Sequence, residues 1–356
     1  MDRAEFLRRF SAMSRFNEQR LNRALQLTPK HVADFLQLLP ILLHYNDPRI
    51  PGYSPHDVPF GIDLFSPNAQ QRRYLLEKGV DPDAAMEPRY PIYALYTMGS
   101  TSSIAQSLHS DLDIWVCVSK GLPFHEHSLL TEKCRFISAF AKSRGAELNL
   151  FVTTEDRFIS GEHGTMDTED CGSAQSLFLL DEFLRSSIRL CGRYLSWYMI
   201  SVEEEQTSYQ HYLEEFYASP FINRNEWFDF GSVAKCSPVE YFGSGLWLVY
   251  KGIDHSFKAV LKILLMEAYA NEYPHTSLLS MELKKAIYTK STYSLHHDAY
   301  YLMYRKVNNF LMQTGDFSRL ELAKQCFYLK IRNSIEGLAQ SRILSLRKKF
   351  LRRLAL

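Results

Sequence analysis

The sequence predicts an α+β protein: a mixed sheet core of roughly a hundred residues between a helical N-terminal segment and a helical C-terminal lobe. Three observations carry this. From Pro91 to about Glu203, short apolar runs with strand alternation interleave with helical spacing. Beyond Glu203 the strand patterns fade and one apolar helical stretch follows another. Of the 356 residues, 46% are hydrophobic, enough to bury a sizeable core. The expected partition is an N-terminal segment at 1–90, the core at 91–203 and the lobe at 204–356.

Residues 1–45 read as helical, with a break near Pro40. "MDRAEFLRRFSAMSRFNEQR" has no continuous apolar run and reads as a charged amphipathic helix, not a leader. "FLQLLPILLHY" is too short to span a bilayer, so no transmembrane segment is expected. Residues 46–91, rich in Pro, Gly, Asp and Asn, form a long irregular connection with one short helix at "AQQRRYLLEKG". Long connections in compact domains are often functional.

Next come the strand "PIYALYTM", a Gly-Ser turn, a short helical "SIAQSL" and the strand "DLDIWVCV". The helix "SLLTEKCRFISAFAKSRG" ends at Gly145, a C-cap residue. "AELNLFVTT" is a strand, so the sheet should hold strands near 92–97, 111–118 and 147–153. The polar loop "EDRFISGEHGTMDTEDCGS", with "DCGS" as a helix cap, leads to the helix "AQSLFLLDEFLRSSIRLCG" and the strand "RYLSWYMI". The lobe's helices are "SPVEYFGSGLWLVYKGI", "SFKAVLKILLMEAYANEY", "LSMELKKAIY", "DAYYLMYRKVNNFLMQ" and "SRLELAKQCFYLKIRNS". A basic amphipathic helix, "SRILSLRKKFLRRLAL", has a solvated or interdomain face.

Lys+Arg is 41 against Asp+Glu 40, a net charge of +1. That balance argues against a nucleic-acid partner, so a few placed cations must hold any anion. The six cysteines (117, 134, 171, 191, 236 and 326) are scattered without a C-x-x-C. Neither a zinc knuckle nor a disulfide framework is indicated, and reduced thiols in a cytoplasmic protein fit best. "HEH" at 125–127 and "HHD" at 296–298 each lack a third metal partner at useful spacing.

The chemistry is concentrated in "MGSTSSIAQSLHSDLDIWVC". Strand side chains alternate, so Asp111 and Asp113 share one face while Leu112, Ile114 and Val116 enter a core. Two carboxylates this close repel unless a cation sits between them, and oxygen ligands suit Mg²⁺ or Mn²⁺. A bare D-x-D also fits a strand edge whose aspartates cap turns. Upstream, "GSTSS" offers a glycine turn, hydroxyls and the N–H groups of a starting helix, which together make an anion nest. A nest followed by a two-carboxylate strand can take a metal–nucleoside triphosphate. Glu147 and Asn149 share a face of the next strand, where a third acid would complete a two-metal site. The same pattern fits a solvent-facing glutamate at a strand start.

"SFKAVLKILLMEAY" is apolar nearly all round, with Lys258 and Lys262 four apart on one face. Each buried ammonium needs an anion, either a triphosphate or a protein carboxylate. Lys251 is a weaker candidate. Asp181, four residues before Arg185, accounts for that arginine by a helix salt bridge, and Arg189 is kept as a ligand candidate. Trp115 and Trp247 are flat enough to stack on a base, or simply fill the core. The residues alone lead to a metal-dependent reaction at a nucleotide's α-phosphate.

The pattern of Gly-Ser, short helix, D-x-D strand and later acid resembles the nucleotidyltransferase superfamily of DNA polymerase β. A closer resemblance is to the class I adenylate cyclases of gammaproteobacteria. It rests on "LLPILLHYNDPRIPGY", "YTMGSTSS", "SDLDIWVC", "EDCGSAQSLFLLDEF", "EYFGSGLWLVYKGID", "FKAVLKILLMEAY" and "CFYLKI", in the family's order over most of the chain. The resemblance implies a nucleotidyltransferase-type sheet core and conversion of ATP to cyclic AMP and pyrophosphate. It implies two Mg²⁺ or Mn²⁺ ions on Asp111 and Asp113. Glu147 would ligate the first ion and help take the hydroxyl proton, with Glu155 and Asp156 as alternatives. Gly99, Ser100 and Ser103 would hold the β- and γ-phosphates, and Lys258, Lys262 and Arg189 the nucleotide's charge. It also implies that this chain is the catalytic region, with a regulatory half beyond it and, through that half, a sugar phosphotransferase component as partner. Two rivals stand beside it. One is a transferase that moves a nucleotidyl group to a separate acceptor. The other is an inactive nucleotide-sensing module, which predicts a missing metal carboxylate; both aspartates are present.

Overall fold

The computed structural model describes residues 1–83, 90–108, 110–158, 176–253, 256–289 and 293–332. The expected loop at 159–175, with its "DCGS" cap and Cys171, and the basic helix at 341–356 lie outside the described residues.

Helix α1 (Arg3–Leu27) starts at Asp2, whose carboxylate accepts the Glu5 N–H at 2.8 Å. Helix α2 (Lys30–His44) follows at once. The break therefore falls at Thr28–Pro29, not near Pro40 as expected. A residue before proline is pushed out of the helical region, and Thr28 is extended at φ −98°, ψ 142°. Pro40 stays inside α2 because ten of that helix's residues are buried, and packing outweighs the lost hydrogen bond. The connection that follows is irregular up to α3 (Ala69–Glu77), which an Asn68–Gln71 capping box opens.

The core sheet holds β1 (Ile92–Met98), β2 (Leu112–Val118), β3 (Leu148–Thr154) and β4 (Ile188–Gly192) in the order β3-β2-β1-β4. Strands β2 and β3 run parallel and the other pairs antiparallel, so the sheet is mixed. Leu112, Ile114, Val116 and Val118 face a layer built by α2 and by α4 (Phe124–Ser143). Trp115 and Cys117, with Ala94 and Tyr96, face the opposite layer: α5 (Ser176–Ser186) and the lobe. Asp113 shares the parity of Trp115, so it opens toward α5 and the lobe.

Three local expectations fail. "SIAQSL" forms turns, not a helix, and Ser102 just before it lies in the left-handed region at φ 65°. The helix expected to reach Gly192 stops at Ser186, and β4 takes its last residues. Ser186 turns its hydroxyl back onto the Glu182 carbonyl at 2.6 Å, and Ile188 pairs with Thr97, so sheet bonding wins over helix propagation. Gly192 sits at φ 89°, and a Cβ there would stand 2.3 Å from the Tyr93 carbonyl oxygen. The strand expected at 193–200 shrinks to β5 (Tyr194–Leu195), paired with β6 (Trp227–Phe228), and a 3₁₀ turn at Ser196–Met199.

The lobe comprises α6 (Val202–Ala218), α7 (Pro238–Lys251), α8 (Ser256–Asn271), α9 (Leu279–Thr289), α10 (Ala299–Gln313) and α11 (Phe317–Arg332). Among the described residues no helix is long and apolar enough to cross a membrane. The five described cysteines are free.

His44, at the C-terminus of α2, is buried, and its Nδ1 accepts the Ile62 N–H at 2.9 Å. Burial lowers its pKa from 6.5 to about 4. The unfolded chain therefore takes up a proton here before the folded chain does. Stability is present above the unfolded value and is lost as pH falls through the window down to about 4, by up to ~3 kcal/mol. His44→Asn keeps an acceptor and cannot titrate. It should lose less stability between about pH 7 and about pH 4.5 than the wild type. Equal losses in acid melts of the two proteins would show that another group carries the transition.

Candidate active site

The aspartates stand where β2 and β3 begin and β1 ends. Asp113 pairs in register with Met98 on one side and Asn149 on the other, and Asn149 Nδ2 donates to its Oδ1 at 2.9 Å. Burial pushes the Asp113 carboxyl up, and the neighbouring Asp111 carboxylate adds to the shift. The Asn149 bond and Lys258 oppose it. Asp111, one residue before β2, is exposed. Two mutually repelling hard-oxygen ligands at one sheet edge suit a divalent cation.

Glu147 lies at the same edge. Its carbonyl accepts the Leu112 N–H at 2.9 Å, and Leu148 pairs with Leu112. Its side chain is exposed, and the residue actually bonded to Asp113 is Asn149. Among the described residues, no three His, Cys, Asp or Glu side chains gather closely enough to hold a metal ion. The alternative Glu155 starts a 3₁₀ turn at the far end of β3, roughly 25 Å along the strand from this edge at the usual rise per residue. Asp156 follows it in that turn, and its side chain lies outside the description.

The hydroxyl-rich loop is more internal than a phosphate nest at a helix start. Thr101, Ser102 and Ser103 are buried. Gly99, at φ 84°, donates its N–H to Ser186 Oγ at 3.0 Å. The Ser102 amide donates to Gln106 Oε1 at 2.6 Å, the Ser103 amide to the Ser100 carbonyl at 2.9 Å, and the Ile104 amide to Asp298 Oδ2 at 2.8 Å. The Ser103 hydroxyl also donates to the Ser100 carbonyl, at 2.7 Å. Arg20 clamps the loop from behind, reaching Ser102 Oγ at 3.2 Å and the Ser187 carbonyl at 2.9 Å. Gly99 and the half-buried Ser100 are the part of the loop nearest the aspartates, and a Cβ on Gly99 would lie 3.6 Å from Asp113 Oδ2.

Across from this edge, α5 and α8 close a cleft of about 190 Å³. Met98, Gly99, Asp113, Glu182, Lys258 and Lys262 are among its lining. Lys262 Nζ donates to Glu182 Oε2 at 2.6 Å. Burial brings Lys262 down to about 8 against the pull of Glu182. Burial also works against the Glu182 carboxylate, but Lys262, Arg185 and Lys258 outweigh it and hold the group at about 2. Both are therefore charged at neutral pH. Lys258, half-buried, has no ion pair or hydrogen bond of its own among the described residues. Tyr300, then Glu182, Asp113 and Asp111, favour its protonated form against burial. Lys330 on α11 lies near enough to feel both Lys258 and Asp111.

Other candidates separate cleanly. Arg185 pairs with the fully buried Asp181, as expected. Arg189 does not reach the aspartates: it donates to the Gly192 carbonyl at 2.7 Å, rests 4.0 Å from the Tyr194 ring centroid and lines a different cleft against α1. Trp115 is core, stacked 4.1 Å from Phe183, whereas Trp247 lines the cleft, with Lys251 4.9 Å above its ring. Asp298 of "HHD" caps α10. The sequence reading missed Glu182, Lys330 and Tyr300. The one signal for Glu182 was a second acid beside Asp181 in an otherwise apolar helix. The assembled edge offers paired carboxylates, a bend with serine donors and a row of cations, an arrangement able to neutralise a polyphosphate while a hydroxyl attacks it.

Comparison with known proteins agrees on one family. Residues 7–198 match the family described as "Adenylate cyclase NT domain". Residues 236–356 match "Adenylate cyclase, class-I, second domain". A protein named "Adenylate cyclase" from Shigella flexneri is 43% identical over 319 residues, covering 88% of this chain and 38% of that protein. The like-named proteins of Escherichia coli K12 (42% over 319 residues; 88% and 38%) and Yersinia pestis (43% over 321 residues; 88% and 37%) are similar to the same degree. The chain thus spans less than two fifths of the length of these relatives. No solved structure matches.

Proposed function

The chain belongs to the class-I adenylate cyclase family, and from that premise we propose that it converts ATP to 3′,5′-cyclic AMP and pyrophosphate on a nucleotidyltransferase-type sheet edge. The observation that carries this reading is Asp113, next to Asp111 at the sheet edge, lining one cleft with Arg185 of α5 and with Lys258 and Lys262 of α8. Asp111 and Asp113 would hold two Mg²⁺ or Mn²⁺ ions, with Glu147 at the first, and those ions would supply Lewis-acid activation of the 3′-hydroxyl and of the leaving pyrophosphate. The mutual repulsion of the two carboxylates supports that fit.

The chain's own residues do the rest. Nucleophile and electrophile are tethered in one ATP molecule, so the protein's work is orientation and charge neutralisation. The loop amides already committed to Ser186, Gln106 and Asp298 fix its shape, which leaves the Ser100 and Thr101 amides and the Ser100 hydroxyl to meet the outer phosphates. Gly99 admits those oxygens beside Asp113. Ser103 acts by bracing the turn. Lys258 neutralises the leaving pyrophosphate, and Trp247 stacks on adenine. Lys262, held by Glu182, shapes the cleft wall. The partition near residues 90 and 203, a cytoplasmic location, and a regulatory region with a sugar phosphotransferase partner in the relatives' additional length complete the reading.

Incubating the purified chain with ATP and Mg²⁺ or Mn²⁺ and identifying the product tests it. Cyclic AMP and pyrophosphate, formed without an acceptor, are expected. A product that needs a second substrate would make it a transferase. Saturable ATP binding without turnover would make it a sensing module.

A further inference from the structure

Tyr300 is buried, 5% exposed, and its hydroxyl has no hydrogen-bond partner among the described residues. Buried hydroxyls without partners call for an explanation, because the lost hydration is not repaid. Several others exist here, including Tyr288. Tyr300 differs in its surroundings: the charges that reach its oxygen are those of Lys258, Glu182, Arg185 and Asp111. Its position is also tied to the hydroxyl loop. Asp298 Oδ1 accepts the Tyr300 N–H at 3.1 Å, while Oδ2 of the same carboxylate accepts the Ile104 N–H at 2.8 Å. One buried carboxylate therefore registers the turn that carries Tyr300 against the loop beside Asp113.

We infer that Tyr300 is a nucleotide-binding residue of this site, its phenolic O–H donating to a phosphate oxygen of the bound triphosphate beside Lys258. The inference rests on the nucleotide reading above. It explains two features together: an orphaned donor and a neighbouring cation that has no ion pair among the described residues. A polyphosphate oxygen is an acceptor for the first and a counter-charge for the second. A neutral ligand would satisfy only the hydroxyl.

Tyr300→Phe removes the oxygen alone and keeps the ring. The probe is 3′-deoxy-ATP with Mg²⁺, which has no 3′-hydroxyl to react, so its dissociation constant reports binding without chemistry. Binding should weaken about tenfold or more, the usual loss for a hydrogen bond to a charged group. kcat/KM for ATP should fall by a similar factor. The melting temperature of the ligand-free variant should stay level or rise, because no described residue pairs with the hydroxyl. Tyr288→Phe, which deletes another orphaned hydroxyl, should leave binding unchanged.

Wild-type affinity in Tyr300→Phe overturns the inference. So does a drop in ligand-free melting temperature, which would mean that the hydroxyl serves the fold. If the wild-type chain binds no 3′-deoxy-ATP, the nucleotide reading fails and takes this inference with it. If the wild type binds the probe and makes cyclic AMP while Tyr300→Phe matches it, Tyr300 alone is wrong.

Discussion

Asp113→Asn should reduce cyclic AMP production to background without unfolding the protein. The side chain lies at the start of a central strand, between Met98 and Asn149, where burial and Asp111 already push its carboxyl up. Asparagine keeps the shape and retains an oxygen that can accept from Asn149. It removes one of two like charges, so the melting temperature should hold or rise. The catalytic loss should be larger than that from deleting a single oxyanion donor, roughly a hundred- to a thousandfold, because a charged ligand to the reacting centre is lost. Asp111→Asn should behave similarly, with even less effect on stability, since Asp111 is exposed. A product assay beside a melting curve decides the matter. If either variant makes cyclic AMP near the wild-type rate, the two-carboxylate site is wrong.

The strands that carry this site were legible because alternation is local. In β2, the apolar parity of Leu112, Ile114 and Val116 places Asp111 and Asp113 on the other face without any tertiary information. The lobe helices were legible for the same reason. What could not be read depends on partners distant in sequence. The helix expected after Gly99 fails because the Ile104 amide is taken by Asp298, 194 residues away. The end of α5 is set by β4 pairing with β1, and Gly192 marks a close backbone approach that no single segment reveals. Arg189 has the right charge and sits beside the right helix, but strand geometry sends it to Tyr194. Glu182 and Lys262 sit in two helices that each read as apolar, and only their packing makes them an ion pair. Burial cost demanded an anion for each lysine. It did not say which lysine the protein itself would satisfy.

That division yields the second large effect. Lys258 and Lys262 lie one turn apart on α8, yet they should fail differently. Lys262 is paired with Glu182 at 2.6 Å, with side chains only 18% and 16% exposed. Lys262→Ala would leave a carboxylate largely out of water without its cation, so stability should fall by ~3 kcal/mol. Glu182→Gln in the same chain should restore much of it. Lys258 has no ion pair among the described residues, so Lys258→Ala gives up only its longer-range attraction to Glu182, Asp113 and Asp111, and its melting temperature should fall less than that of Lys262→Ala. Its charge matters when pyrophosphate departs. A contact that strengthens in the transition state lowers kcat more than it raises KM. By analogy with oxyanion donors it is worth ~2–4 kcal/mol, or roughly a hundredfold in rate. Added salt should not reproduce the loss, because a half-buried contact is poorly screened. Steady-state kinetics and melting curves on both variants separate the roles. If Lys258→Ala turns over ATP normally, or simply unfolds, the cation facing Asp113 belongs to the packing of α8 and not to the reaction.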